Sequence, residues 1–469
     1  MYYNTIRSIT RTSGHQEELI LHRYIALTLA LFILSLRLFS VAVVLSGGGG
    51  RGAYQIGVLG ALKDLGIEIE AVYGTSVGAI NAAGIISEGY EIARDTWYSI
   101  DYSELMTVSP ALYNLIQGHF RELDTLELAS ALRSITTSQG IDVAPLRNRL
   151  SEMISEDKIR DSEIDFGIVA YSLSNIRPFV MYKENIPEDQ LTDYVLASAN
   201  FPAFKREKIG DLSFIDGGVY SNFPVFMPKE RGFDRVVAVD IVGLRLGENL
   251  AHVNLFSHGM NVTLIEPSEH FGTVMTFQKE VSQRYLICGY LDTMKAFGQV
   301  HGEHYFIYDD FDPLWGLFSC LGDTERPKAM EILGLKAITG GSPNYHYYRQ
   351  ILPWLENVVN SEYCLPEVTV EKMLEELALF LKVERLKPYT PFTLLMAVLD
   401  KWDINLYKDE RSIQYLTRYK RLLLFLDYLV AKSDKIEEDS VRFKEFEERF
   451  RTSLALPLQI FQPPVHRSP

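Results

Sequence analysis

The chain has 469 residues, 47% of them hydrophobic and 23% charged, the composition of a folded protein long enough for two or three domains. Forty-six Lys and Arg against 61 Asp and Glu leave a net charge of −15, and no long Lys/Arg run supplies the basic footprint of a nucleic-acid binder. The three cysteines, Cys288, Cys320 and Cys364, are widely spaced with no C-x-x-C pair, so neither a disulfide framework nor a zinc site is expected, and a reducing compartment fits.

Residues 1–36 read as an apolar N-terminal extension. Tyr24–Ser35 is almost wholly apolar, and His22 and Arg23 precede it like the positive flank of a signal peptide. A stretch of this length is too short for a hydrocarbon layer that needs ~20 residues. Continuing to Leu45 meets Arg37 and uses residues needed for the next strand. Cleavage after Ser40-Val41-Ala42 would cut that strand, so a cleaved signal is not expected. An uncleaved anchor, an interfacial helix and an extension with no membrane role all stay open, which fits a cytoplasmic or membrane-peripheral protein.

From Arg37 the pattern is strand, glycine loop, helix, strand, tight turn, helix. Leu38–Leu45 is a continuous apolar, β-branched run, the sign of a strand buried on both faces. Gly52–Leu65 has Tyr54, Val58, Leu62 and Leu65 at helical spacing and ends at Gly66. Ile67–Tyr73 reads as a second strand and Val77–Ile86 as a second helix. Leu123–Ile135 and Pro145–Ile154 read as helices, with Asp142 as a cap upstream of the second. Phe166–Ser172 and Arg177–Tyr182 read as partner strands, Leu191–Ser198 as a helix and Val236–Ile241 as another buried strand. Such alternation predicts an α/β domain over 37–298 with a mostly parallel sheet. Beyond Gly298, Val370, Leu374, Leu377 and Leu381 repeat at helical spacing, as do Ile413, Leu416 and Leu423, with Pro388 and Pro391 between them. Residues 299–469 are therefore expected to form a mainly helical C-terminal domain.

Two loops follow the first two strands, and in an open parallel sheet both emerge at the carboxyl edge where ligands bind. Ser46-Gly47-Gly48-Gly49-Gly50-Arg51-Gly52 lets the backbone turn sharply and aim N–H groups at an anion, beside a helix N-terminus. Gly47-x-Gly49-x-x-Gly52 also matches the dinucleotide fingerprint, but the acids of the next strand, Glu68 and Glu70, lie at its start and not its end. No Gly-Lys-Ser/Thr follows, so a Walker phosphate loop is excluded, and a purely structural turn is the plainer alternative.

Gly74-Thr75-Ser76-Val77-Gly78 matches the nucleophile elbow G-x-S-x-G. Small residues at Gly74 and Gly78 let strand and helix close around a sharp turn that exposes Ser76. A serine hydroxyl needs a base to take its proton. Histidines after Ser76 include His119, His252, His258, His270, His301, His304 and His346, none in an obvious loop signature; His301 and His304 read better as a surface loop than as metal ligands. The other candidate is Phe214-Ile215-Asp216-Gly217-Gly218-Val219, where an acid ends a short apolar run, although an Asp-Gly turn is common for structural reasons alone.

These elements, in this order, resemble the patatin-like phospholipase family, which shows a G-G-x-R/K-G loop, then G-x-S-x-G, then D-G-A/G. Ala197-Ser198-Ala199-Asn200-Phe201-Pro202 and Ser221-Asn222-Phe223-Pro224 resemble the segments flanking the family's Asp-Gly. Ile265-Glu266-Pro267-Ser268 and Gly289-Tyr290-Leu291-Asp292 resemble stretches late in bacterial members. The likeness covers about 37–298 and departs at Gly218, where alanine is common, and at the fourth glycine, Gly50. It implies a three-layer fold with helices on both faces of the sheet, and Ser76 as nucleophile with Asp216 as its base, without histidine. Gly48 and Gly49 would form the oxyanion hole with Gly50 as a further donor, supported by Gly47, Arg51, Gly52, Gly74, Gly78, Gly217 and Gly218. Arg51 would lie near a lipid head group or simply begin a helix. The implied reaction is hydrolysis of a lipid acyl ester at a membrane or micelle surface, with no metal or organic cofactor. The rival readings are a non-catalytic binding protein acting through its C-terminal helices and a nucleotide-binding enzyme using the glycine loop.

Overall fold

The computed structural model describes residues 40–109, 112–114, 140–242, 259–308, 312–338, 341–360, 365–402, 413–432 and 441–456. The apolar stretch Tyr24–Ser35, the helix expected at Leu123–Ile135, and His119, His252, His258 and Cys364 lie outside them. Among the described residues no helix is long and apolar enough to cross a membrane. The chain divides into two compact units, one comprising the chain up to Gly49, Leu62–Gly89 and Ser103–Leu264, the other Gly50–Ala61, Tyr90–Tyr102 and the chain from Ile265.

The first unit is built on one sheet with strands β1 (Ser40–Leu45), β2 (Glu68–Thr75), β3 (Asp165–Ser172), β4 (Arg177–Tyr182), β5 (Glu207–Ile209), β6 (Leu212–Asp216), β7 (Arg235–Val239) and β8 (Asn261–Ile265). Its order is β5-β6-β3-β2-β1-β7-β8, with β4 also on β3. All six β1 residues are buried, so the sheet is covered on both faces, as a continuous apolar run requires. β3, β2, β1 and β7 run parallel. β4 and β6 run antiparallel to β3, and β5 antiparallel to β6, so the mostly parallel sheet carries an antiparallel portion on one side. The cause is the short link from Ser172 to Arg177: a hairpin returns antiparallel, whereas a parallel return needs a crossover of a dozen or more residues. On one face Ala42, Val44, Tyr73, Val169 and Ala238 pack against Phe223, Val225 and Met227.

Register places the site. Thr75, the last residue of β2, pairs with Val169 of β3, and Asp216, the last residue of β6, pairs with Ala170, the next position along. Because β4 holds the opposite edge of β3 at both positions, β6 takes over the edge that β2 leaves. The two strands therefore run toward one another along β3 and bring their carboxyl ends together.

The second unit is mainly helical. Its core gathers Leu314, Phe318, Met330, Tyr347, Leu355, Met373, Leu377, Leu395, Phe425 and Leu429. The periodic runs read from the sequence become Pro366–Phe380 and Ile413–Lys432. Pro391 opens the helix Pro391–Lys401, behind Thr390, whose side chain accepts from the Thr393 N–H in a capping box. The second unit takes in the chain from Ile265, whereas the helical domain was expected from residue 299. The helix Lys279–Ala296 belongs with Gly50–Ala61 because glycine lets two backbones meet: a Cβ on Gly57 would lie 2.1 Å from the Leu286 carbonyl oxygen, and one on Gly289 would lie 2.0 Å from that of Tyr54. Another internal break falls in the helix Val77–Ser99, where Gly89 has φ 82°.

Candidate active site

Ser76 sits between β2 and the helix Val77–Ser99 with φ 57°, a left-handed backbone that a non-glycine residue adopts only where its surroundings impose it. The surroundings do so through close packing. A Cβ on Gly74 would lie 2.3 Å from the backbone of Gly78, and one on Gly78 would lie 2.3 Å from the Leu45 carbonyl oxygen, so both positions must be glycine. The Ser76 N–H donates to Ser198 Oγ at 3.0 Å, and Ser198 Oγ donates to the Val169 carbonyl at 2.6 Å, which ties the elbow to β3. Thr75 Oγ1 adds a bond to the Ser221 carbonyl at 2.9 Å. The Ala79 and Ile80 N–H groups return to the Ser76 carbonyl at 2.9 and 3.2 Å, so the helix begins directly behind the hydroxyl.

Asp216 is buried at the end of β6 and accepts a hydrogen bond from the Gly218 N–H at 2.7 Å, with the Ser76 hydroxyl near enough to lower its pKa. Its own N–H donates to the Asn200 carbonyl at 2.8 Å, and the Gly217 N–H donates to the Ser198 carbonyl at 3.1 Å. Asn200 Nδ2 reaches the Phe214 carbonyl at 3.2 Å. Gly217 has no room for a side chain, since a Cβ would lie 2.0 Å from the Val169 carbonyl oxygen. Burial pushes the Asp216 carboxyl above its ordinary range, and the bonds from Ser76 and Gly218 offset part of that rise. The result is a more basic carboxylate than a surface aspartate, beside the hydroxyl it would deprotonate.

The glycine turn lies against this pair. The Gly47 N–H donates to the Asn222 carbonyl at 3.0 Å and Asn222 Nδ2 donates to the Gly47 carbonyl at 3.2 Å, a two-sided hold by one residue. A Cβ on Gly47 would lie 2.3 Å from Asn222 Oδ1 and 3.0 Å from the Ser76 Cβ, and one on Gly48 would lie 2.6 Å from the Ile241 side chain. Gly49 has φ 58°, the left-handed region that favours glycine. Ser46 Oγ accepts from the Ile241 N–H at 2.9 Å and anchors the turn's start. Among the described residues, Gly48 and Gly49 have no backbone acceptor for their N–H groups. The expectation for Gly50 is corrected: its N–H is donated to the Val274 carbonyl at 2.7 Å and is not free for an oxyanion. Arg51 closes the one-turn 3-10 segment Gly49–Arg51, and Gly52 begins the helix Gly52–Asp64, in keeping with the helix-start reading of Arg51.

The structure thus brings together Ser76, Asp216, Gly47, Gly48 and Gly49. The described histidines stand in other settings: His301 Nδ1 lies 2.8 Å from Glu371, and His346 Nδ1 lies 2.8 Å from Gln350 Oε1. Sequence reasoning gave no role to Ser198, Asn200 and Asn222, the residues that brace the elbow, the base and the glycine turn. Their signal was present only as flanking segments that resembled the family.

Comparison with known proteins agrees with this geometry. A family model described as patatin-like phospholipase matches residues 43–228. Patatin-like phospholipase domain-containing protein 7 of Mus musculus is 25% identical over 206 residues, covering 43% of this chain and 14% of that protein. Lysophospholipase nte1 of Aspergillus terreus is 28% identical over 203 residues, covering 43% and 12%. The chain thus spans about one seventh or less of the length of these two relatives. The probable lipid hydrolase 463L of Invertebrate iridescent virus 6 is 25% identical over 232 residues, covering 48% of this chain and 77% of that one. Among solved structures, VipD from Legionella pneumophila aligns over 85% of this chain and 93% of its own at 14% identity and a TM-score of 0.31, too distant to carry an argument. With the three motifs in order and their residues gathered at one sheet edge, residues 43–228 of this chain match the patatin-like phospholipase family model.

Proposed function

We propose that the protein hydrolyses lipid acyl esters through a Ser76–Asp216 dyad. The observation that carries the reading is the register on β3 that brings the ends of β2 and β6 together, setting a buried Asp216 beside the left-handed Ser76 elbow and the glycine turn. Ser76 Oγ attacks the ester carbonyl while its proton passes to Asp216. The carbonyl oxygen becomes an oxyanion held by the Gly48 and Gly49 N–H groups, each such donor being worth roughly 3–4 kcal/mol. As the carbon–oxygen bond breaks, Asp216 returns the proton to the leaving alcohol, which leaves an acyl-serine. Water then attacks the acyl carbon, again giving its proton to Asp216, and as the tetrahedral species collapses to fatty acid Asp216 returns that proton to Ser76 Oγ.

The substrate class we infer is a phospholipid or lysophospholipid presented at a membrane or micelle surface. The family assignment supports it, as do the exposed side chains of Val219 and Tyr220 directly after Gly218, which offer apolar surface beside the base. The test is a fluorophosphonate probe followed by peptide mass spectrometry. A phosphonylated Ser76 is expected, and a folded protein that reacts elsewhere or not at all would refute the reading.

A further inference from the structure

The two late segments that resembled bacterial family members, Ile265–Ser268 and Gly289–Asp292, have no part in the dyad, yet they meet at one buried carboxylate. Asp292 accepts from the Tyr54 hydroxyl at 3.0 Å, from the Ser268 N–H at 2.9 Å and from the Cys288 thiol at 3.2 Å. Ser268 Oγ and Cys288 Sγ lie 3.5 Å apart. Tyr54 is fully buried, and burial together with the Asp292 charge pushes its phenol well above the ordinary value, so it remains the donor.

The placement of this cluster explains its use. Tyr54 stands three residues before Gly57 and Asp292 three residues after Gly289, each on the same helix face as its glycine. Glycines at the crossing let the backbones touch but add no side chain of their own to fix the register. The Tyr54–Asp292 hydrogen bond adds a directional hold there. The helix so fixed, Gly52–Asp64, is the one that follows the glycine turn. The turn's own last glycine is held by the same unit: the Gly50 N–H donates to Val274, and a Cβ on Gly50 would lie 2.1 Å from the Thr276 carbonyl oxygen. The next residue back is Gly49, whose N–H is a proposed oxyanion donor.

We propose that Asp292 is a positioning residue for catalysis, pinning the helix Gly52–Asp64 through Tyr54 and so setting where the Gly48 and Gly49 N–H groups point. This rests on the oxyanion reading given above. Displacement of a catalytic group by about 1 Å can cost ~10²-fold, so a loosened pin should lower kcat by ~10-fold or more.

The test measures kcat and KM on a short soluble p-nitrophenyl ester for Tyr54→Phe and Asp292→Asn, with inhibition by a trifluoromethyl ketone, whose hemiketal oxyanion occupies the same donors. The expected result is a fall in kcat of ~10-fold or more, KM within about twofold, and ketone affinity weakened in step with kcat. In a Gly48→Ala background, where the turn is already disturbed, Tyr54→Phe should add little to the loss in kcat, whereas a role in stability alone would leave the two effects multiplicative. Wild-type kcat and ketone affinity in a folded Tyr54→Phe protein would overturn the proposal. So would loss of folding in both variants, which would make the cluster a general stability element. If Gly48→Ala alone retains wild-type kcat, the oxyanion reading is the one that fails.

Discussion

Replacing Asp216 by asparagine separates the base from its surroundings. The amide keeps the carboxylate's shape, and Oδ1 can still accept the Gly218 N–H now bonded at 2.7 Å. What disappears is the ability to take a proton. General-base catalysis contributes ~10²–10⁴-fold, equivalent to ~2.7–5.5 kcal/mol of barrier at 1.36 kcal/mol per factor of ten. Stability should move the other way. Burial raises the folded-state pKa of Asp216 above the unfolded value near 3.8, so the native state binds the proton more tightly than the unfolded chain. An acid shifted upward makes stability fall as pH rises through the window between the two values, and the penalty is fully in place above the folded value. At pH 7 Asp216→Asn removes that penalty, so the variant should melt at or above the wild-type temperature while turning over ~10²–10⁴-fold more slowly. Ester turnover with differential scanning calorimetry on the same preparation checks both. Near-wild-type turnover by the folded variant would refute the dyad, as would a histidine variant that falls as far while staying folded.

Ser76→Ala should keep the fold, lose fluorophosphonate labelling and lower turnover by at least ~10³-fold, as read by labelling and kinetics. In wild type, kcat/KM should decline as the pH falls through the Asp216 pKa, at a pH above the ordinary carboxylate value, because the base must be ionised; a pH–rate profile gives the inflection. Ser198→Ala removes the acceptor of the Ser76 N–H and a donor to Val169, and should cost ~1–3 kcal/mol in chemical denaturation together with a loss in kcat. Gly217→Ala drives a methyl into the Val169 carbonyl and should destabilise the fold by ~3 kcal/mol or more, measured the same way.

Ser76 and its glycines were legible because a left-handed elbow between a strand and a helix tolerates few residues at Gly74 and Gly78. Asp216 was legible only as an Asp-Gly that matched a family, since its usefulness depends on strand pairing: nothing local to Phe214–Gly218 says that β6 shares an edge of β3 with β2. Gly50 was misjudged for the same kind of reason, because its N–H partner, Val274, is 224 residues away in sequence. Long apolar strands and helices such as Ser40–Leu45 and Leu191–Ser198 could be read from periodicity alone. The short elements β5 and β6, and the braces Ser198 and Asn222, could not, because tertiary hydrogen bonds and not local preference define them.

The interleaving of the chain bears on how this molecule could be dissected or recombined. A fragment ending with the family match at residue 228 would carry Ser76, Asp216 and every glycine of the turn, yet would leave β1 with an open edge where β7 pairs. It would also strip Gly57 of the helix that its missing side chain was shaped to meet. Such a piece would display a bare apolar strand edge, a template for aggregation. Exchanging the tail from Ile265 onward would therefore require exchanging residues 50–61 with it, because the two share one compact unit.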